Sequence, residues 1–359
     1  MRIAVSTGGG DAPGLNAVIR AVVLSAYHRG WQTYGIQRGY DGLLTFQGVT
    51  HLGPEQVRGI THLGGTILGT TNRGNPFRHV VTDPDGGQRE IDRSDELIAA
   101  FRASGFDALV AIGGDGSLQI AHQLWQKGLP VVCVPKTIDN DVVETQRTFG
   151  FDTAVSTATE AIDKLHSTAE SHDRVMVVEV MGRDAGWIAL HSGIAGSADV
   201  VLIPEIPFDI EKVCDKIRER EGRGRHFSIV VVAEGAKPAG GEVTLAERRS
   251  AGNVERLGGI GGKVAHAIGD RTGKEVRSMV LGHLQRGGSP TTYDRLLALR
   301  FGAAAVRAIG DQAFGTMVAL RQGEVVRVPL EKVVGRQKLV PPDSDTIETA
   351  RGLGISLGD

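Results

Sequence analysis

Three short segments of this chain put carboxylates, glycines and a lysine where a phosphate group could be held and moved. Gly8-Gly9-Gly10-Asp11-Ala12-Pro13-Gly14 follows an apolar run and opens an apolar-periodic stretch. A glycine-rich turn between a strand and a helix N-terminus gathers backbone N–H groups at the positive end of the helix dipole, which suits an anion. Glycine lets the backbone approach a phosphate closely, and Pro13 fits a first helical turn because the N–H it lacks would have no partner there. Taken alone, such a turn serves as well for a ligand-free connection. Ile112-Gly113-Gly114-Asp115-Gly116-Ser117 repeats the design with a carboxylate beside the N–H groups. Magnesium takes carboxylate, water and phosphate oxygens rather than a full protein cage, so Asp115 is the candidate metal ligand beside a phosphate cradle. The third segment, Pro135-Lys136-Thr137-Ile138-Asp139-Asn140-Asp141, sets two carboxylates two residues apart beside a lysine and a threonine. Phosphorylating an alcohol needs a carboxylate to accept the hydroxyl proton and electrostatic stabilisation of the transferred group. Asp139 and Asp141 could share the base and metal roles; a turn rich in Asx hydrogen bonds is the plain structural alternative.

These motifs need elements that aim them. Apolar runs at Ile3–Ser6, Leu109–Ile112, Val131–Val134, Val175–Val180, Val200–Ile203, Ile229–Ala233 and Met279–Leu281 read as buried parallel strands. Helical patterns at Ala17–Tyr27, Ser94–Ala103, Leu118–Gln126 and Val155–Leu165 alternate with them, as in doubly wound sheets. Open α/β sheets bind ligands beyond the carboxyl ends of their strands, where all three motifs fall. The stretch from Gly235 to Lys263 is rich in glycine and charge and reads as a mobile loop near a cleft. Thr82–Gln88 reads as a surface turn.

At 359 residues the chain is long enough for two domains. Its net charge of -2 offers no footprint for a nucleic acid or an anionic membrane. Two cysteines, Cys133 and Cys214, make neither a disulfide framework nor a metal cluster, which fits a reducing cytoplasm. No apolar run reaches the ~18 residues of a membrane span, and no signal peptide is evident, so a soluble, cytoplasmic protein is expected. Fifty glycines are about twice the average share of ~7%; without a fixed period they indicate many tight turns.

The three motifs in this order, followed by Met181-Gly182-Arg183 and by Leu281-Gly282-His283-Leu284-Gln285-Arg286-Gly287-Gly288-Ser289-Pro290, resemble the phosphofructokinase family from Ile3 to about Leu320. The resemblance implies two doubly wound α/β/α sandwich domains with the active site in the cleft between them. It implies a phosphate-donor domain from 1–150 plus about 285–335, and a fructose 6-phosphate domain from 151–284 plus about 336–359. Asp139 then looks like the base on the sugar hydroxyl, Asp115 the magnesium ligand, Thr137 a contact to the transferred group and sugar, and Arg183 the residue that neutralises charge in transfer. Gly9, Arg73, Gly114, Asp115, Gly116, Ser117 and Lys136 match the donor site. Thr137, Ile138, Asp139, Arg174, Met181, Gly182, Arg183, Glu234, Arg277, His283 and Arg286 match the sugar-phosphate site, where planar guanidiniums suit a phosphate dianion. In the family Arg174 and Arg277 reach the site from a neighbouring subunit, so the resemblance implies a homo-oligomer, dimer or tetramer, with shared sites.

The resemblance covers ATP users and pyrophosphate users, and two positions bear on the choice. An aspartate at position 116 would occupy and repel the place of a nucleotide α-phosphate, whereas Gly116 leaves it open. Lys136 attracts either donor. ATP is therefore the expected donor, with pyrophosphate as the alternative. The family's effector site has a basic residue where this chain has His166, near Arg223 and Arg225, so the usual nucleotide activation is not expected. A lipid or NAD kinase would share only the Gly-Gly-Asp-Gly turn. A non-catalytic sugar-phosphate sensor would lack the carboxylates and arginine that Asp115, Asp139 and Arg183 supply.

Overall fold

The computed structural model describes residues 1–44, 48–71, 74–83, 85–247 and 256–359. Its larger sheet has eight strands. At its centre Arg2–Thr7 lies parallel to Ala108–Gly113 on one side and to Gln32–Ile36 on the other. Val131–Thr137 and then Thr316–Arg321 extend the parallel order, while Val49–Leu52 and Glu324–Pro329 close the two edges antiparallel. The apolar runs alternate faces with a period of two, so Ile3 and Val5 enter one layer and Ala4 the other. The first layer is made by Leu15–Tyr27 and Thr292–Gly310, where Val18 and Val22 meet Phe301 and Ala305. The opposite layer is made by Ser94–Ala103 and Asp115–Gln126, through Leu97, Phe101, Leu118 and Leu124. Strand order reverses between Arg2–Thr7 and Ala108–Gly113. The two glycine-rich turns leave those neighbouring carboxyl ends, which is the crevice an open α/β sheet offers to a ligand.

The smaller sheet is wholly parallel, in the order Val200–Leu202, Ser228–Ala233, Val175–Val180, Val276–Val280. Phe151–Ser171, Trp187–Ala195 and Asp345–Gly352 cover one face, and Ile210–Gly222 and Ile260–Thr272 the other. The two sheets, each sandwiched by helices, form the doubly wound α/β/α pair that the motifs imply.

Two helix N-termini lock these layers together. Thr153 donates from its N–H (2.8 Å) and its hydroxyl (2.6 Å) to Asp294 Oδ2, while Thr291 donates its hydroxyl to Asp152 Oδ2 at 2.6 Å. Each helix thus supplies an acceptor for donors at the start of the other. Gly14 opens the Leu15 helix at φ 107, and a Cβ there would fall 2.8 Å from the Phe149 ring, so that entry turn accepts glycine alone.

The Val175–Val180 strand and the Ser94–Ala103 helix have the bounds expected from sequence. Others run longer: the helix expected from Leu118 starts at Asp115, and Val155–Leu165 becomes Phe151–Ser171. Thr82–Gln88 links a short hairpin, His79–Thr82 with Gln88–Ile91; Pro84 lies outside the described residues. The stretch 235–263 departs from the loop expected of it. Leu245–Glu247 pairs with Arg256–Leu257, and a helix begins at Ile260, with 248–255 outside the described residues. The buried Glu179 carboxylate organises that helix start by accepting from Gly259 N (3.0 and 3.1 Å) and Gly261 N (2.8 Å). A carboxylate at a helix N-terminus satisfies donors that composition cannot reveal.

Candidate active site

Three turns converge at the carboxyl end of the larger sheet. Gly8 N donates to Ile112 O (2.9 Å), tying the first turn to the second, and the Thr70 hydroxyl donates to Gly9 O at 2.6 Å. A Cβ on Gly9 would lie 3.5 Å from Ser117 Oγ and 3.8 Å from Lys136 Nζ, and one on Gly114 3.1 Å from Lys136 O. These glycines leave the backbone bare between the serine, the lysine and the first turn. Gly116 differs: it is exposed, and a Cβ there would meet nothing within 4 Å. Lys136 is buried and donates to Gly10 O. Burial first, then Arg286, pulls its ammonium down to about 8.

The third turn holds the carboxylates. Thr137 Oγ1 accepts from Asp139 N at 3.0 Å, and Asn140 stands at φ 53 between Asp139 and Asp141. Asp139 and Asp141 are both buried, with an Oδ1 atom each that finds no partner. Burial raises Asp139, opposed by Arg286, Arg183 and Lys136. Burial and then the Asp139 charge push Asp141 up to about 7. Asp115, half-buried at its helix start, is raised by burial and lowered by Arg183. Buried acceptors without partners are rare.

The smaller sheet faces these carboxylates with the ends of its own strands. Glu234, following Ser228–Ala233, accepts from Gly182 N (3.3 Å) and Arg183 N (3.0 Å), and burial pushes it up to about 7. Arg183 takes φ 52, a left-handed turn that a non-glycine residue seldom adopts, and its side chain is exposed. Met181 N donates to Gln285 Oε1 at 2.8 Å. Gln285 is fully buried and was not singled out from sequence; only its place inside the Leu281–Pro290 motif marked it. The next residue, Arg286, reaches over the first turn, where a Cβ on Gly10 would overlap its guanidinium. Ile138 is buried between the donor turn and the smaller core.

Not every expected residue joins this cluster. Arg174 and Arg277 share the carboxylate of Glu275, Arg174 Nη2 at 2.9 Å from Oε1. They stand where Val175–Val180 and Val276–Val280 begin, whereas Met181 and Glu234 stand where strands of that sheet end. At ~3.3 Å per residue the two groups are roughly 20 Å apart. His283 is exposed in the Gly282–Gln285 turn, and its ring forms no hydrogen bond or ion pair among the described residues. Arg73 lies outside the described residues. His166 turns inward, its Nε2 2.7 Å from Gly196 O and its ring edge-on to Phe227, and Arg223 pairs with Glu219 at 2.6 Å.

The donor set suits a hard divalent cation. Asp115, Asp139 and Asp141 offer carboxylate oxygens, two of them buried and unpartnered. Among the described residues no group of three or more His, Cys, Asp or Glu closes into a full cage.

A doubly wound pair of sheets with carboxylates and cations between their strand ends has the arrangement of residue types that phosphoryl transfer needs. The sequence profile of the phosphofructokinases matches residues 2–309. An ATP-dependent 6-phosphofructokinase of Chloroflexus aurantiacus is 54% identical over 100% of this chain and 98% of its own. A pyrophosphate–fructose 6-phosphate 1-phosphotransferase of Amycolatopsis methanolica is 52% identical over 96% of this chain and 97% of its own. Among solved structures, a phosphofructokinase of Pichia pastoris in the T-state superposes with a TM-score of 0.79 at 30% identity, covering 99% of this chain and 37% of that one. A pyrophosphate-dependent phosphofructokinase of Marinobacter aquaeolei shares the fold, with a TM-score of 0.80 at 22% identity over 99% and 91% of the chains. The chain belongs to the phosphofructokinase family.

Proposed function

We propose that this protein is an ATP-dependent 6-phosphofructokinase of glycolysis, transferring the γ-phosphoryl group of ATP to the 1-hydroxyl of fructose 6-phosphate. The observation that carries the donor is the open space at Gly116, on the first turn of the Asp115 helix, where a nucleotide's inner phosphate has room. Gly9, Gly114, Ser117 and Lys136 cradle the donor, and Asp115 would hold magnesium beside its phosphates. Magnesium, when bound there, would supply screening of the charge on the donor's phosphates. Asp139 accepts the hydroxyl proton. Its burial, which raises its proton affinity against the opposing charges of Arg286, Arg183 and Lys136, supports this. Arg183 and Thr137 steady the group in flight. Met181, Gly182, Glu234, His283 and Arg286 hold the sugar phosphate, with Ile138 forming the floor.

Arg174 and Arg277 complete the site of a second subunit in this reading. Their distance from their own cluster supports it, as does the exposed strand edge beside them, where Met279 and Val280 are bare. The assembly is then a homo-oligomer in which each site is shared. The domain division at 1–150 plus about 285–335 and 151–284 plus about 336–359 follows the two sheets. Among the described residues no helix is long and apolar enough to cross a membrane, and we place the enzyme in the cytoplasm.

The relative named for pyrophosphate is 52% identical and the Chloroflexus aurantiacus relative named for ATP 54%, so the donor is tested directly. Purified protein is supplied with fructose 6-phosphate, magnesium and either donor. Turnover with ATP and at least tenfold less with pyrophosphate is expected. Preference for pyrophosphate overturns the donor, and absence of turnover with both overturns the enzyme reading in favour of a sensor.

A further inference from the structure

Behind the Asp139–Asp141 turn lies a lysine from the far end of the chain. Lys338 is half-buried, and its ammonium donates to Asn140 Oδ1 at 3.0 Å, Thr145 O at 2.9 Å and Gln146 O at 3.1 Å. An ammonium has three protons, and here all three have acceptors. Burying one is costly unless it is so satisfied. Burial first, then the neighbouring Arg147 charge, lowers this group to about 7.

Asn140 is the residue between the two carboxylates. Its φ of 53 sends Asp139 and Asp141 in their observed directions, and its side-chain oxygen is the anchor of that conformation. Oδ1 accepts from Lys338 Nζ and also from Thr148 N at 3.2 Å. The lysine's backbone continues the hold. Its N–H donates to Asp141 O at 2.7 Å, and Gln337 bridges to Val142. On the other side, Lys338 O accepts from Trp187 Nε1 at 2.8 Å, and Val340 N donates to Glu205 Oε1 at 2.9 Å. Trp187 opens a helix packed on the smaller sheet. Residues 337–340 therefore strap the carboxylate turn of the larger sheet to the smaller one.

We propose that Lys338 is a positioning residue for phosphoryl transfer, acting through Asn140 to fix the aim of Asp139 and Asp141. It contacts no substrate; it sets the conformation of the residue between the two groups that do. The proposal rests on the functional reading above. A base misplaced by ~1 Å can lose ~10²-fold in rate while substrate binding elsewhere is untouched.

The test compares wild type, Lys338→Met, Asn140→Ala and the double variant for kcat, for KM of fructose 6-phosphate and of the donor, and for thermal midpoint. Lys338→Met keeps the length of the side chain and removes its donors. Expected is a kcat lower by roughly 10- to 100-fold, with both KM values within about threefold, in protein that is fully folded at the assay temperature. The double variant should lose no more than the worse single one, because both act through one contact. Folded Lys338→Met with unchanged kcat overturns the proposal, as do losses that multiply in the double variant. A drop in activity that only follows the folded fraction also overturns it, assigning Lys338 to stability. Wild type inactive with ATP and with pyrophosphate is a different failure, that of the functional reading, and removes the proposal with it.

Discussion

Replacing Gly116 by aspartate isolates the step on which donor choice depends. The residue is exposed on the first turn of the Asp115–Gln126 helix, and a new Cβ would meet nothing within 4 Å, so the side chain enters open space. Folding should not suffer: an acidic group in a first turn is worth ~0.3–1 kcal/mol to the helix, and losing a helical glycine adds somewhat less than ~1 kcal/mol more. The thermal midpoint should hold or rise. In the donor site the same carboxylate stands beside Asp115, where the inner phosphate of a nucleotide is placed by our reading. Two unit charges about 5 Å apart at an effective dielectric constant of about 20 repel by roughly 3 kcal/mol. At 1.4 kcal/mol per decade that is roughly a 100-fold loss in kcat/KM for ATP. Pyrophosphate, which ends before that place, should be used no worse than before. The assay is initial-rate formation of fructose 1,6-bisphosphate with each donor at saturating fructose 6-phosphate, beside a melting curve. Folded Gly116→Asp protein that keeps ATP efficiency within about threefold would refute both the placement of the nucleotide and the steric basis for the donor.

Asp139→Asn should lower kcat by roughly 10²- to 10⁴-fold and leave both KM values nearly unchanged, since a base acts mainly in the transition state; near-normal turnover sinks the base assignment. The free enzyme should show a bell-shaped pH dependence of kcat/KM. Burial raises Asp139 and brings Asp141 to about 7, so the ionised, active form is lost as pH falls through that region. Lys136, lowered to about 8, loses its charge as pH rises, which weakens donor binding on the alkaline side. A flat profile from pH 5.5 to 9 contradicts this electrostatic account. Gly14→Ala should cost roughly 1–3 kcal/mol, because alanine is strained at φ 107 and its methyl meets Phe149. Chemical denaturation measures it, and an unchanged midpoint would mean the entry turn can shift freely.

Much of the candidate site was legible because its glycines, carboxylates and lysine lie in contiguous segments. Gly113–Ser117 and Lys136–Asp141 each carry their chemistry within a few residues, and each sits where a strand ends. The Val175–Val180 and Ser94–Ala103 elements were equally plain, one a continuous apolar run and the other an amphipathic period. Trp187–Ala195 gave no such signal: it is apolar nearly all round, as a helix pressed between a sheet and other helices must be. The loop expected before Lys263 failed for another reason, since the glycines counted toward flexibility are where Glu179 draws N–H groups into a helix start.

By itself, then, the sequence determined the alternation of strands and helices, the three turns rich in glycine and carboxylate and the residue types they carry, because these depend on neighbours in the chain. The tertiary structure alone decided that Gln285 meets Met181, that Lys338 grips Asn140 and that Glu179 caps a helix. These pairs are separated by 104, 198 and 82 residues, taking Gly261 as the cap of the last. It also decided that Arg174 and Arg277 stand at the opposite end of their sheet from Met181 and Glu234. No local pattern encodes such meetings. They exist only once two hydrophobic cores have closed and brought distant polar groups out of water, where each must find a partner or remain, like Asp139 and Asp141, open to a ligand.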